Sequence, residues 1–235
     1  EGATNDSFTL TQDEVGKVIT VQVSYTDAYG ENETLESQSI NTVQNVNDDP
    51  IGSVTIDGIA AEDETLTVNT SELDDEDGLG NLSYQWMADN VAIEGATNDS
   101  FTLTQDEVGK VFTVDVSYTD SYDQEEVVTS LSTNPVMNVN DPPLMNIISD
   151  QSIDEDQTFG YQMGAYDIDS EVVQETLTYS AIDLPDWLSV SETGLITGTP
   201  LNDDVGAHNI TVRVTDLGGL SDDQQFTLTV NNTND

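Results

Sequence analysis

The sequence predicts an all-β chain of tandem antiparallel β-sandwich modules arranged end to end, and three observations predict it. Apolar residues alternate with polar ones in short runs: SFTLT at 100–104, VFTVDVSY at 111–118, NITVRVT at 209–215 and QFTLTV at 225–230 all have period two. No segment shows a convincing helical period. The chain also repeats itself at a spacing that suits one sandwich per repeat.

The repeat sets the modules. Residues 1–50 align without a gap on 94–143, a shift of 94 − 1 = 93 residues; the first 18 positions, EGATNDSFTLTQDEVGKV, are identical, and 36 of the 50 pairs match. Such identity points to recent duplication rather than shared fold alone. An Asn-Asp pair closes each unit, at Asn47 and Asp48, at Asn140 and Asp141, and at Asn234 and Asp235. The expected domains are therefore 1–48, the C-terminal half of one repeat; 49–141, a complete repeat; and 142–235, a complete module of different sequence. Because Glu1 falls in mid-repeat, the chain reads as a piece excised from a longer array.

Composition narrows the partners. Asp and Glu number 47 against 3 Lys and Arg, a formal net charge of −44. Such a surface repels nucleic acid and anionic membranes and attracts divalent cations. A hydrophobic share of 35% with clear alternation argues for folding rather than acidic disorder. With no cysteine, neither disulfides nor thiolate metal sites are available, so metal bound at carboxylates is the expected staple. No run of 18 apolar residues and no signal-peptide pattern occurs, so no membrane insertion is expected.

Between Leu73 and Tyr118, the motifs DDEDGLG, LSYQW, VAIEGATNDSFTLTQDEVGK and VSYTD resemble the immunoglobulin-like repeats of very large bacterial calcium-dependent (RTX-type) adhesins, and the matching half-repeat extends the resemblance over 1–141. The stretch LPDWLSVSETGLITGTPLNDDVGAHNITVRVTDLGG at 184–219 resembles the dystroglycan-type cadherin-like, or Putative Ig, domains common in bacterial surface proteins. These resemblances imply extracellular immunoglobulin-like and cadherin-like sandwiches in long arrays on the bacterial surface, acting as spacers or as ligand-binding tips. About 93 residues per module suits such a sandwich.

Calcium takes six to eight oxygen ligands, which needs several loops to bring carboxylates and amides to one end of a module. In the third module Asp167 and Asp169 form a DxD, Asp216 leaves a strand in VTDLGG, and Asn140 and Asp141 lie in the preceding linker. The pattern is similar to the cadherin arrangement of linker Asn-Asp, DxD and a later Asp in a TD turn. Glu155 or Asp156 would serve the next junction. The second module repeats the scheme with Glu62 and Asp63 at 155 − 62 = 93 residues earlier, a DxD at Asp75 and Asp77, Asp120 in SYTD, and the linker pair Asn47 and Asp48. The Asp-Arg-Glu motif and the longer Asp-x-Asn-Asp-Asn linker of the three-ion cadherin junction are missing, so one or two ions per junction are expected. The competing reading is that these acids only solvate turns, which Asp and Asn favour through local hydrogen bonds.

Other features point away from catalysis. Paired carboxylates can serve a glycosidase only across a cleft, about 5–10 Å apart. His208, the only histidine, has no cysteine beside it and anchors no triad or transition-metal cluster; it is expected at the surface. Trp86 and Trp187 are expected in cores rather than as sugar-stacking platforms, Arg213 outward, and Lys17 and Lys110 solvated. The function implied is a non-catalytic, calcium-stabilised extender segment of a secreted surface adhesin serving cell adhesion or biofilm formation, with calcium ions and neighbouring modules as partners. The alternative is a module binding a surface polysaccharide or other glycan. The half-repeat 1–48 lacks the earlier strands and their Trp, which leaves its apolar face to pair with another chain or with partner strands.

Overall fold

The computed structural model describes residues 2–171 and 176–233, so Asn234 and Asp235, the third Asn-Asp pair, lie outside the described residues. The chain is all-β, with no α-helix among the described residues and none long and apolar enough to cross a membrane. It divides into two compact units, Glu1–Ile59 with Thr65–Thr102 and Lys110–Asn134, and Ala60–Glu64 with Leu103–Gly109 and Pro135–Asp235.

In the first unit, β1 (Gln22–Thr26) and β2 (Asn32–Glu36) form a two-stranded antiparallel sheet. Seven strands follow: β3 (Thr55–Asp57), β4 (Thr65–Asn69), β5 (Ser83–Ala88), β6 (Val91–Ala92), β7 (Ser100–Thr102), β8 (Phe112–Thr119) and β9 (Glu125–Thr129). They make two antiparallel sheets, ordered β3-β4-β7 and β6-β5-β8-β9. Alternation in β8 turns Phe112, Val114, Val116 and Tyr118 inward. Trp86 on β5 is fully buried, its ring 6.0 Å from that of Phe101 on β7, so the core lies between the two sheets. The indole Nε1 donates to the Asn98 carbonyl at 3.0 Å, which satisfies its one polar atom.

The second unit carries β10 (Leu144–Met145), β11 (Gln151–Asp154), β12 (Phe159–Gln162), β13 (Ala165–Tyr166), β14 (Thr178–Asp183), β15 (Leu188–Val190), β16 (Leu195–Gly198), β17 (Gly206–Thr215) and β18 (Ser221–Asn231). One sheet runs β11-β18-β17-β14, with β11 parallel to β18 and the rest antiparallel; a second runs β12-β16-β15, and β10 pairs β13. Period two again places the core: Ile210, Val212 and Val214 of β17 and Phe226 and Leu228 of β18 are buried, with Tyr161 of β12 packed on Phe226. Trp187 is half-buried against this core, edge-on to His208, whose Nε2 lies 2.6 Å from the Asp204 carbonyl. His208 is thus held in a half-buried contact rather than standing free at the surface.

Arg213 points outward as its alternation requires, but it is not simply solvated. It stands opposite Asp223 in the β17–β18 register and donates to it through Nε at 2.7 Å and through its terminal nitrogen at 2.8 Å. The planar fork explains the bidentate geometry. Because the pair is exposed, Arg213→Ala should lower Tm only slightly, and the difference should shrink in molar salt; calorimetry of the two proteins checks this.

Candidate metal centre

Local hydrogen bonding shapes the acidic loops before any ion is considered. The Asp77 amide donates to Asp75 Oδ1 at 2.8 Å and the Asp169 amide to Asp167 Oδ1 at 3.0 Å, the side-chain turn that a DxD sequence favours. In each case the linker then closes on the second Asp: the Asp48 amide donates to Asp77 Oδ2 and the Asp141 amide to Asp169 Oδ2, both at 2.8 Å. The later Asp closes a tight turn. Asp120 Oδ1 accepts from the Tyr122 and Gln124 amides, and Asp216 Oδ1 from the Gly219 and Leu220 amides. A Cβ on Gly218 would meet the Asn140 side-chain amide, so a larger residue there would displace Asn140 from the turn.

The Glu-Asp pairs split by role. Asp63 and Asp156 have left-handed backbone, φ 62° and 59°, and are exposed, whereas Glu62 and Glu155 beside them are buried. Asp tolerates that conformation, and the reversal it makes sends the preceding Glu inward. Glu62 Oε2 accepts from the Val139 amide at 3.2 Å, and Glu155 Oε1 from the Thr233 amide at 2.6 Å, so the two modules end alike.

In the second unit the structure brings Glu62, Asp141 and Asp169 together, with one carboxylate oxygen from each within 4.8 Å of the others. Asp167, two residues before Asp169, is buried as well. Asn140 and Asp216 are linked to each other, Nδ2 to Oδ2 at 2.8 Å. Burial, then the charges of Asp141, Asp63 and Asp169, push the Glu62 carboxyl up, partly offset by the Val139 hydrogen bond. Burial, then Asp169 and Asp63, push Asp141 up. Like charges gathered out of water explain both directions.

In the first unit Asp75, Asp77 and Asp120 are buried and Asp48 is half-buried, its amide on Asp77, but among the described residues no three of these carboxylates converge as Glu62, Asp141 and Asp169 do. Tyr118 donates to Asp75 Oδ2 at 2.5 Å, and burial followed by that bond pushes its phenol up. Asn47 here turns to Glu126 Oε1 at 2.9 Å, unlike Asn140.

Sequence reading overlooked the amides that line these loops. Gln12 Nε2 donates to Asp77 Oδ1 at 2.6 Å, and Asn138 Nδ2 to Asp169 Oδ1 at 2.8 Å. The Gln105 amide lies against the Glu62 carboxylate, with its nitrogen fitting 2.8 and 2.9 Å from the two oxygens. Their signal was in the repeat: Gln12 and Gln105, and Asn45 and Asn138, stand 93 residues apart.

The donor set fits a hard divalent cation. Every convergent ligand atom is oxygen, without histidine or thiolate, which selects calcium-like ions over zinc or copper. Asp120 Oδ2, Glu155 Oε2 and Asn45 Oδ1 are buried without a hydrogen-bond partner among the described residues. A buried, unpaired acceptor is costly, and a bound cation removes that cost.

Among solved structures, the chain is similar to Protocadherin Gamma B2 extracellular cadherin domains 1-5, at 15% identity and a TM-score of 0.47 over 93% of this chain and 46% of that one. It is similar to human CDH23 EC21-23, at 18% identity and a TM-score of 0.45 over 77% and 69% of the two chains. It is also similar to an endo-fucoidan hydrolase of glycoside hydrolase family 107, at 17% identity and a TM-score of 0.33 over 93% and 34%. The chain thus spans about half the length of the first of these. No curated protein matches it. Residues 142–231, which carry the two-sheet core of the second unit, match the family model described as "Putative Ig domain".

Proposed function

We propose that the chain is a non-catalytic, calcium-stabilised extender segment of a secreted bacterial surface adhesin, serving cell adhesion or biofilm formation. The observation that carries this reading is the meeting of Glu62, Asp141 and Asp169 within 4.8 Å, drawn from three separate stretches of chain. A cation there ties the linker to two loops, and the same logic applies at Asp48, Asp75, Asp77 and Asp120. Asn47 and Asn140 position the linkers, Asp167 and Asp216 complete the second set, and Glu155 begins a third. Asp63 and Asp156 act through the backbone reversal that buries their neighbours. Calcium scarcity inside the cell and abundance outside would couple rigidity to export.

Calorimetric titration of the metal-stripped chain with calcium tests the reading. Saturable binding near the millimolar range is expected, as for extracellular modules. Asp169→Ala should remove one class of sites and Asp77→Ala another. Absence of binding up to about 10 mM calcium, roughly ten times the weakest dissociation constant of extracellular modules, would reduce these acids to solvated turns.

A further inference from the structure

Glu62 and Asp169 are joined by two side-chain amides whose hydrogen bonds cannot all be satisfied. One end of the Gln105 amide lies 2.8 and 2.9 Å from the two Glu62 carboxylate oxygens, and its other end lies 3.3 Å from Asn138 Oδ1. Asn138 Nδ2 in turn donates to Asp169 Oδ1 at 2.8 Å. An ionised carboxylate only accepts, whereas each amide has one donating and one accepting end. Two carboxylates closed through two amides therefore always leave one contact in which oxygen faces oxygen. With the Gln105 nitrogen toward Glu62, its Oε1 faces Asn138 Oδ1; with its oxygen toward Glu62, Nε2 donates to Asn138 and the mismatch moves onto the carboxylate. Turning Asn138 over as well only carries the mismatch to Asp169. Glu62 is 4% exposed, so solvent has little access to relieve it.

We propose that the Gln105 side-chain oxygen is a further ligand of the cation held by Glu62, Asp141 and Asp169, and that its amide turns over as the cation binds. The inference rests on the calcium reading above and adds a residue and a switch to it. Positive charge beside Glu62 removes the mismatch: Gln105 Oε1 then faces the cation with the Glu62 oxygens, Nε2 donates to Asn138 Oδ1, and Asn138 Nδ2 keeps Asp169, so each amide end has a partner. Without the cation the balance reverses, because hydrogen bonds from nitrogen to the charged carboxylate are stronger than the neutral one given up. The backbone that carries Gln105 is set locally. It opens the 3-10 segment Gln105–Glu107, which is closed by the Thr104 amide and hydroxyl donating to Glu107 Oε2. Neutrality suits the position too, since calcium accepts amide oxygens beside carboxylates. Three carboxylates already meet within 4.8 Å, and an acid in place of Gln105 would add to their repulsion in the metal-free chain.

Side-chain NMR of the isotope-labelled full chain, titrated with calcium at about pH 8 so that the carboxylates are ionised, tests the inference. In chelator, coupling across the hydrogen bond should link Gln105 Nε2 to the Glu62 carboxylate carbon. At saturating calcium that coupling should vanish and the Gln105 Cδ resonance should move downfield, as for a carbonyl drawn to a cation. Calorimetry supplies a second readout. Gln105→Met, which keeps the length without the oxygen, should weaken calcium binding about tenfold or more at the site that Asp169→Ala removes. Gln105→Glu, which keeps an oxygen and adds charge, should bind at least as tightly and melt below the wild type in chelator. If the wild type binds no calcium, the calcium reading falls and this inference with it. If it binds calcium but the coupling from Nε2 to Glu62 persists at saturation, or Gln105→Met binds as tightly, the calcium reading stands and Gln105 is not a ligand.

Discussion

With calcium at about a hundred times its dissociation constant, the chain should melt well above the same chain in excess chelator. One such site adds about 2.7 kcal/mol to the folded state by mass action. For a module of roughly 90 residues, where 1 kcal/mol moves Tm by about 4–8 °C, the rise is on the order of 10–20 °C. The direction follows from the acidic loops: Glu62 and Asp141 have raised carboxyls because burial and neighbouring charge oppose their ionisation. A cation reverses that opposition. The titration should be run in magnesium too, because magnesium demands a tighter octahedron and keeps its waters, and so should stabilise less. Equal melting with and without calcium would leave the modules held by their cores alone.

Much of the architecture was legible because the repeat ties sequence to local geometry. Thr104 and Glu107 cap a one-turn 3-10 segment, the Thr104 amide and hydroxyl reaching Glu107 Oε2 at 3.0 and 2.7 Å. Thr11 and Glu14 do the same at 3.2 and 3.0 Å in a half-repeat that lacks the opposite sheet. This turn is therefore specified locally. Trp86 was readable as core because a Trp on a strand followed by a turn, here at Asp89 and Asn90, packs between two sheets, and the structure buries it completely.

What sequence could not supply was the long-range partner of each acid. Glu62 and Asp63 are adjacent and both acidic, yet one is buried and one exposed; a single left-handed residue decides this, and although Asp accepts that conformation more readily than Glu, the residue types alone do not say that the backbone reverses there. Asn47 and Asn140 occupy the same repeat position but meet Glu126 and Asp216, because the modules they adjoin differ in sequence. Arg213 was placed outward by period two, but its fork on Asp223 depended on a register that only the β17–β18 hairpin fixes. Periodicity reads faces; register and loop closure decide partners.

Asp169→Asn should separate cation binding from charge repulsion. Asp169 accepts from the Asp141 amide and from Asn138 Nδ2, so the variant keeps one acceptor oxygen and loses one hydrogen bond, at a cost of about 1 kcal/mol. It also removes one of three charges within 4.8 Å, which relieves Glu62 and Asp141. In chelator these effects oppose each other and the net change is small. In calcium only a loss remains: the roughly 2.7 kcal/mol that this site contributes disappears. The pH dependence supplies the sign check. A carboxyl raised in the folded state penalises folding once ionised, so the metal-free wild type should gain stability as pH falls from neutral through the raised values toward the ordinary 4.5 of Glu62 and 3.8 of Asp141. With calcium present the slope should reverse, since protons displace the cation. Asp169→Asn should flatten both slopes for this site, and Asp77→Asn should leave them intact while abolishing the calcium response of the first unit. If Asp169→Asn retains the full calcium increment, the three carboxylates do not share an ion.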